Sequence, residues 1–410
     1  MKVLVQKFGG TSVQNEETRI AAARHVQSAV EDGYKVVVVV SAMGRDGDPY
    51  ATDTLLGLVH KEDSHVGNRE KDLLVSCGEV ISSVVFTELL QSLDVNAIAM
   101  TGPQAGFRTN EDFGEARIVD MQCRSLEHSL SNLDAVVVAG FQGVSSNGEI
   151  TTLGRGGSDT SATALASALT AERVDIFTDV DGIMTADPRI VEEATIIDSV
   201  TYQEICNMAY QGAKVIHPRA VEIAMQAKIP IRIRSTLSKA EGTLITVGSD
   251  PGVDLEDRPV TGIAHMSGLS QITVRGKDYL NLQADVFQEM AKANISVDFI
   301  NIQPAAVVYT VPDERVEQAL NVLQAKGYEP ECLSNCAKVS AVGAGMTGVP
   351  GVASKIVAAL TKENIQIFQS ADSHTTIWVL VKGEDMKKAV FALHKMFQLE
   401  KQNNSATNDD

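Results

Sequence analysis

Through the first 250 positions, short apolar runs alternate with longer amphipathic stretches. The clearest run is Val36 to Val40. Five consecutive valines read as a strand covered on both faces. Val3 to Val5 reads as a shorter buried strand, and further strands are predicted near Ala97, at Ala135 to Ala139 and at Val174 to Phe177. Between them the 3.6-residue period predicts helices from about Glu17 to Val30 and roughly Glu70 to Gln91. Asp46 to Thr54 is polar and turn-rich and reads as a mobile loop. Strands alternating with helices indicate an α/β layer fold with a mostly parallel sheet. Ligands in such folds collect at the carboxyl ends of the strands. Four loops fall there: Lys7 to Gly10, Ser41 to Gly44, Gly140 to Gly143, and Thr178 to Arg189.

The pattern changes after Gly242. Gly248 to Pro259 is acidic, carries two prolines and lacks periodicity, so it reads as a linker. Beyond it the chain repeats: Val286 to Ile295 aligns with Ile356 to Ile365, seventy positions later. Each is a helix leading to a strand and preceded by one (Ile272 to Val274; Ala337 to Val342), which fits two βαββαβ units of about 70 residues. The tail from Lys401 is polar and expected to fray.

Gly154 to Leu169 is the stretch with the most chemistry. Gly156 and Gly157 lack a Cβ and permit close approach of a ligand to the backbone. Ser158 suits an N-cap and Asp159 a first turn. Ala162, Leu165, Ala166 and Leu169 follow at helical spacing. A glycine turn opening a helix aims N–H groups and a positive dipole end at an anion, and Arg155 adds a cation able to hold a carboxylate bidentately. An ordinary loop with a capped helix is the alternative.

Net charge narrows the choice of partners. Thirty-five Lys and Arg against 53 Asp and Glu leave −18. That argues against nucleic acid or an anionic membrane as partner, and an anionic substrate then needs a local positive pocket. No 18-residue apolar run is evident, so no membrane span is expected. The N-terminal residues reach charge and glycine too soon for a signal peptide. The five cysteines form no disulfide pattern, and Cys332 and Cys336 lack the neighbours of a zinc site. The expected compartment is the cytoplasm.

Lys7-Phe8-Gly9-Gly10 puts a lysine at a strand end before two glycines. It could neutralise phosphate oxygens while the amides cradle them, or it could be a surface lysine before a turn. The chain has neither a P-loop nor a dinucleotide fingerprint. Thr178-Asp179-Val180-Asp181-Gly182 and Asp187-Pro188-Arg189 read either as common turns or as a nucleotide-edge loop in which Arg189 meets phosphate. Their acids lack calcium-loop spacing. Lys214 is a second candidate for phosphate, and His217 before Pro218 reads as structural. Glu79 lies in an apolar helical run, and such a buried carboxylate needs a cationic partner or ligand.

Taken together, Lys7 to Gly10, Gly154 to Asp159, Thr178 to Arg189 and Gly212 to Pro218 resemble the motifs of the aspartokinases, in the amino-acid kinase superfamily. The resemblance spans nearly the whole chain and is nearest the diaminopimelate-sensitive type. Asp181 departs from the family's usual residue. The resemblance implies an amino-acid-kinase-like layered sandwich over 1–247, a linker over 248–260, ferredoxin-like ACT units over 261–332 and 333–402, and a disordered tail over 403–410. It implies transfer of the γ-phosphoryl of MgATP to the β-carboxylate of L-aspartate, the first step toward diaminopimelate, lysine, methionine and threonine, with feedback by an end product such as meso-diaminopimelate. By the same analogy Lys7 bridges the phosphoryl group and the attacking carboxylate, and Arg155 holds the α-carboxylate. Glu79 and Asp159 hold the α-ammonium, and Thr52, Gly156, Gly157 and Ser158 complete the substrate site. Lys7, Phe8, Gly9, Gly10, Ser41, Thr178, Asp179, Met184, Arg189, Lys214 and Val215 surround ATP, with Mg2+ held mainly by the phosphates and no metal ligands from the protein.

A free aspartate β-carboxylate has a pKa of about 3.9 and is already ionised. It needs no general base, so positioning and cations should dominate. A related acetylglutamate kinase is the enzymatic alternative, which the tandem repeat opposes. A non-catalytic amino-acid sensor is the other. The repeats imply an amino-acid effector and a homodimer or homotetramer assembled through the ACT units. The run Gly343-Ala344-Gly345-Met346, then Val349-Pro350-Gly351-Val352, places glycine amides before a helix, fit for a carboxylate. Met346, Val349, Gly351 and Val352 are therefore effector candidates, with Asn301 and Gln303 beside them. A purely structural dimerisation domain is the alternative.

Overall fold

In the computed structural model, which describes residues 2–59, 65–213, 215–248, 259–276, 279–344, 346 and 349–401, the chain divides into two compact units. The first comprises Met1–Ile183, Ile196–Ala209 and Lys214–Leu255; the second comprises Met184–Thr195, Tyr210–Ala213 and Glu256–Asp410.

The first unit runs β1 (Val3–Phe8), α1 (Glu16–Glu31), β2 (Lys35–Val40), α2 (Thr52–Gly57), α3 (Asn68–Ser92), β3 (Ala97–Met100), α4 (Gly102–Ala105), β4 (Phe107–Thr109), β5 (Ile118–Met121), α5 (Arg124–Asn132), β6 (Ala135–Ala139), β7 (Gln142–Val144), β8 (Ile150–Thr152), α6 (Gly157–Ala168), β9 (Arg173–Thr178), β10 (Ser199–Thr201), α7 (Tyr202–Tyr210), α8 (Pro218–Ala227), β11 (Ile231–Ser235) and β12 (Thr243–Thr246). Eight strands form one sheet in the order β10-β12-β11-β9-β1-β2-β6-β3, parallel except for the β11–β12 pair. The valine run is its middle: Val36 to Val40 are wholly buried. Val36, Val38 and Val40 pack with Ala22, Val26, Phe86 and Leu90 of α1 and α3. Val39 points the other way, toward the start of α6, where its Cγ1 would lie 2.9 Å from a Cβ on Gly140. A period of two on a strand thus sorts one valine run onto two helical layers. A second sheet, β5-β4-β7-β8, carries the chain into and out of the α6 entry.

Local signals set the helix ends. Asn15 and Thr18 close a capping box on α1, and Glu16 and Glu17 meet its positive end. The segment read as a mobile loop ends in the first turn of α2. α3 holds the length and mean hydropathy (1.7 over 18 residues) of a spanning helix, which the sequence reading did not find; its charges gather in the first turns, with Glu79 and Glu88 beyond them. Half of that window is buried inside the unit.

The second unit runs β13 (Gly262–Arg275), α9 (Tyr279–Lys292), β14 (Asp298–Gln303), β15 (Ala306–Pro312), α10 (Val316–Ala325), β16 (Glu331–Val342), α11 (Val352–Lys362), β17 (Gln369–Asp372), β18 (Thr376–Lys382) and α12 (Met386–Met396). They form one sheet, β14-β15-β13-β16-β18-β17. The repeat is present, but its halves are not consecutive. Leu269 to Arg275 of β13 pair with β15, whereas Gly262 to Met266 pair with the part of β16 that also pairs with β18. The expected division at 332/333 falls inside β16, because both long strands serve both halves. At the junction Gly268 and Asn335 take left-handed φ values of 75° and 55°. One face of the sheet packs α9 and α10 at one end and α11 and α12 at the other. The opposite face encloses a small core of Leu269, Phe299, Cys336 and Leu380. Gln369 joins the ends of the curled sheet, accepting from the Gln271 amide at 2.7 Å and donating to the Phe299 carbonyl. The segment 184–195 lies within this unit: Ala186, Val191 and Ala194 pack with Val260, Ile263 and the β16 core. Residues 249–258 of the expected linker and 402–410 of the tail are outside the described residues.

Removing two methyl groups from the middle of the valine layer leaves a cavity that α1 and α3 cannot collapse into. Val38→Ala should lower the unfolding free energy by about 2–3 kcal/mol in urea titrations, whereas exposed Val119→Ala should change it by less than about 0.5 kcal/mol.

Candidate active site at the carboxyl ends of the parallel strands

Register brings the sequence-predicted loops to one edge. Phe8 ends β1 level with Val40 and Phe177 on its two neighbours. Below the edge the Phe8 and Phe177 rings stack at 4.7 Å. Above it the loops are tied by backbone hydrogen bonds. Ser41 N–H donates to the Phe8 carbonyl (3.1 Å), Gly44 N–H to Gly10 (3.0 Å), Gly140 N–H to Val40 (3.0 Å) and Thr236 N–H to Thr178 (3.1 Å). Gly10 has no room for a side chain, since a Cβ there would lie 2.6 Å from the Gly44 carbonyl. Lys7, Phe8, Gly9, Gly10, Ser41 and Thr178 therefore share one rim. Asp179, next to Thr178, makes an exposed ion pair with Arg45 at 2.7 Å, of a kind that contributes little to stability.

The start of α6 faces this rim. Gly156 caps the helix with φ +73°, and a Cβ there would overlap His217, the N-cap of α8. Ser158, expected as the N-cap, is instead the second helical residue, because the left-handed glycine at 156 makes the turn two residues earlier. α6 is buried although it is rich in Ser and Thr. Thr160, Ser161 and Thr163 satisfy their hydroxyls on carbonyls one turn back, and Ser161 also accepts from Phe141 N–H at 3.0 Å. Asp159, in the first turn, sits 2.7 Å from the Lys7 ammonium. Each of these side chains is 12% exposed, and the approach lies outside hydrogen-bonding angles. This pairing was not foreseen. Arg155 projects from the same turn, exposed and without an ion pair among the described residues.

Glu79 is buried on α3 at 2% exposure. Its Oε1 accepts from Ala42 N–H at 3.1 Å, and its Oε2 has no partner among the described residues. No cation pairs with it there. Burial pushes its pKa from 4.5 to about 8, against the pull of the Ala42 N–H. A neutral carboxyl with one idle oxygen, poised beside the rim, suits a cationic ligand. Thr52 opens α2 directly after the Tyr50 carbonyl, which packs against Gly78 beside Glu79.

Other expected residues fall elsewhere. Val215 lies in the turn before α8, and Lys214 is outside the described residues. Met184 and Arg189 belong to the second unit. There Met184 packs on the core and Arg189 pairs with Asp187 at 2.7 Å, which holds the Asp187 carboxyl below its usual range. Met346 and Val352 are buried in the same core, Val349 is exposed, and Gly351 caps α11 with φ +100°. Gly345 is outside the described residues. Asn301 and Gln303 lie on edge strand β14. The reading of the sequence also missed Asp72 and Arg219, whose contacts are described below. A second acid seven residues before Glu79, on the same helical face, was the available signal for Asp72.

The amino acid kinase family profile matches residues 2–235, and an ACT domain profile matches 331–395. The chain is 59% identical to Aspartokinase 1 of Bacillus subtilis over 98% of its own length and 100% of that protein. Its fold matches E. coli aspartokinase III in complex with aspartate and ADP (R-state), with TM-score 0.78, 28% identity and coverage of 96% and 99% of the two chains. The same enzyme in complex with lysine and aspartate (T-state) matches with TM-score 0.74 at 28% identity, over 96% and 99% of the two chains. A parallel sheet that gathers lysine, glycine amides and a helix start at one edge is the frame of a phosphotransferase, and the chain belongs to the amino acid kinase family. Within that family it is a kinase of the aspartokinase group.

Glu79 makes stability fall with pH in a defined window. Below about 4.5 it is neutral folded and unfolded; between 4.5 and about 8 only the unfolded chain loses the proton, so rising pH favours unfolding; above 8 the effect levels off. Glu79→Gln should therefore gain stability relative to the parent progressively across that window, measured by urea unfolding at a series of pH values. A difference independent of pH would contradict the assignment.

Proposed function

We propose that the chain transfers the γ-phosphoryl group of MgATP to the β-carboxylate of L-aspartate, giving 4-phospho-L-aspartate and ADP. The observation that carries this reading is the buried carboxyl of Glu79, tied to the rim at Ala42 N–H and left with an unpartnered oxygen, together with the Lys7–Asp159 pair and the Arg155 turn. One substrate with an α-ammonium, an α-carboxylate and a second carboxylate answers all three features. Full-length likeness to aspartokinases, one of them bound to aspartate and ADP, supports the choice.

The chemistry asks for no general base, since the nucleophile is an ionised carboxylate. The barrier lies in bringing that anion against phosphate. Lys7 stands where it can touch both, and the α6 amides add fixed dipoles without reorganisation. Asp159 keeps Lys7 at the rim and is released toward the substrate ammonium, whose positive charge also lowers the Glu79 pKa so that its proton is lost to solvent. Arg155 takes the α-carboxylate bidentately. Magnesium would enter as part of MgATP, held mainly by its phosphates.

The finer reading extends to regulation and setting. The reaction would open the route to diaminopimelate, lysine, methionine and threonine. An end product such as meso-diaminopimelate would inhibit it through the ACT repeats, as lysine accompanies the T-state of the E. coli enzyme. The turn at Val349 to Gly351 before α11 supplies amides for the effector's carboxylate, with Asn301 and Gln303 on β14 as further contacts. The chain would act in the cytoplasm as a homodimer or homotetramer joined through these repeats.

With ATP, aspartate and hydroxylamine, which traps the acyl phosphate, the chain should form aspartyl hydroxamate. Lys7→Ala should lower kcat by about two orders of magnitude or more, and a near-normal kcat would remove its role. Arg155→Ala should chiefly raise the aspartate KM. Because the ammonium must meet an ionised Glu79, the aspartate KM should also rise below pH 8, by up to about tenfold per unit. Glu79→Gln should abolish that dependence.

A further inference from the structure

We propose that Asp72 and Arg219 are positioning residues that set aspartate affinity by clamping, from two sides, the loop that carries Arg155. The inference rests on the aspartate kinase reading above.

Arg155 itself contacts no charged neighbour among the described residues, so its placement depends on its backbone. The preceding residues are held from both flanks. Asp72, buried at 2% exposure on α3, accepts from Thr152 N–H at 2.8 Å and from Gly114 N–H at 3.0 Å through Oδ2, and from the Thr152 hydroxyl at 2.7 Å through Oδ1. One carboxylate thereby ties the end of β8 to the neighbouring segment. That segment is bonded back, since Ala116 N–H donates to the Thr152 carbonyl at 2.8 Å. From α8, the Arg219 guanidinium donates to the Leu153 and Ala116 carbonyls, each at 3.3 Å. His217, two residues earlier, closes over Gly156.

Residues 152, 153 and 156 are thus held on either side of Arg155, and the Gly154 carbonyl between them accepts from Gly157 N–H at 3.0 Å. Three donors converge on the Asp72 carboxyl, two of them on one oxygen, which leaves it little freedom to move. Asp72 lies seven residues before Glu79, two helical turns along the same face of α3. One helix therefore places both the group assigned to the substrate's ammonium and the clamp on the turn assigned to its carboxylate. A misplacement of about 1 Å at such a contact can lower efficiency on the order of a hundredfold.

The test is steady-state kinetics of the full chain with aspartate and ATP varied separately. Asp72→Asn and Thr152→Val should each raise the aspartate KM about tenfold or more while the ATP KM stays within about twofold, and Thr152→Ser, which keeps the hydroxyl, should restore the parent value. Thr152→Val removes one hydroxyl at constant shape, so it carries the test should Asp72→Asn fail to fold. An unmoved aspartate KM in both variants, or an ATP KM rising in step with it, overturns the proposal. Parent turnover with unmoved variants overturns this inference alone; a parent that does not phosphorylate aspartate overturns the kinase reading and this one with it.

Discussion

The ion pair between Lys7 and Asp159 joins the carboxyl end of a strand to the first turn of a helix, and the rest of the first unit is arranged to keep those two ends opposite each other. β1 lies between β2 and β9 in the middle of an eight-stranded sheet, so its carboxyl end cannot drift. α6 is held by packing on its small residues, by hydroxyls turned back onto its own carbonyls and by the His217 contact at Gly156. An ammonium and a carboxylate at 2.7 Å, each nearly buried, balance each other without a full hydrogen bond. On the aspartate kinase reading proposed above, the pair is a holding arrangement that an incoming zwitterion and phosphate would replace.

Charge economy explains the remaining geometry. A chain with a net charge of −18 cannot attract anions by its overall field, so attraction has to be built locally. It is concentrated in one lysine, one arginine and a helix start. Glu79, buried with no counter-ion among the described residues and with one oxygen unpartnered, is held neutral up to about pH 8 by burial. On the aspartate kinase reading proposed above, a ligand without an ammonium would leave that carboxyl's second oxygen idle.

Much of this was legible in the sequence, for identifiable reasons. The valine run and the apolar periods of α1 and α3 announced themselves because burial on both faces, or on one stripe, leaves a periodic trace. The convergence of Lys7, Ser41, Gly140 and Thr178 followed from the rule that parallel strands present their carboxyl ends together. Three features were not legible. The N-cap moved from Ser158 to Gly156 because the left-handed turn depends on His217, sixty residues away. The segment 184–195 was read with the nucleotide loop, yet its Ala186, Val191 and Ala194 pack into the second unit, a partnership that no local pattern encodes. The repeat was visible, but the sharing of β13 and β16 was not, since strand pairing is a property of distant residues.

The curl of the second unit's sheet makes its two repeats depend on each other. Left-handed residues at Gly268 and Asn335 bend the two long strands, and Gln369 fastens one end to the other. The interior so enclosed draws Leu269 and Phe299 from one repeat and Cys336 and Leu380 from the other. Neither copy can be deleted without baring the lining of the other, so the pair is kept or lost as one body.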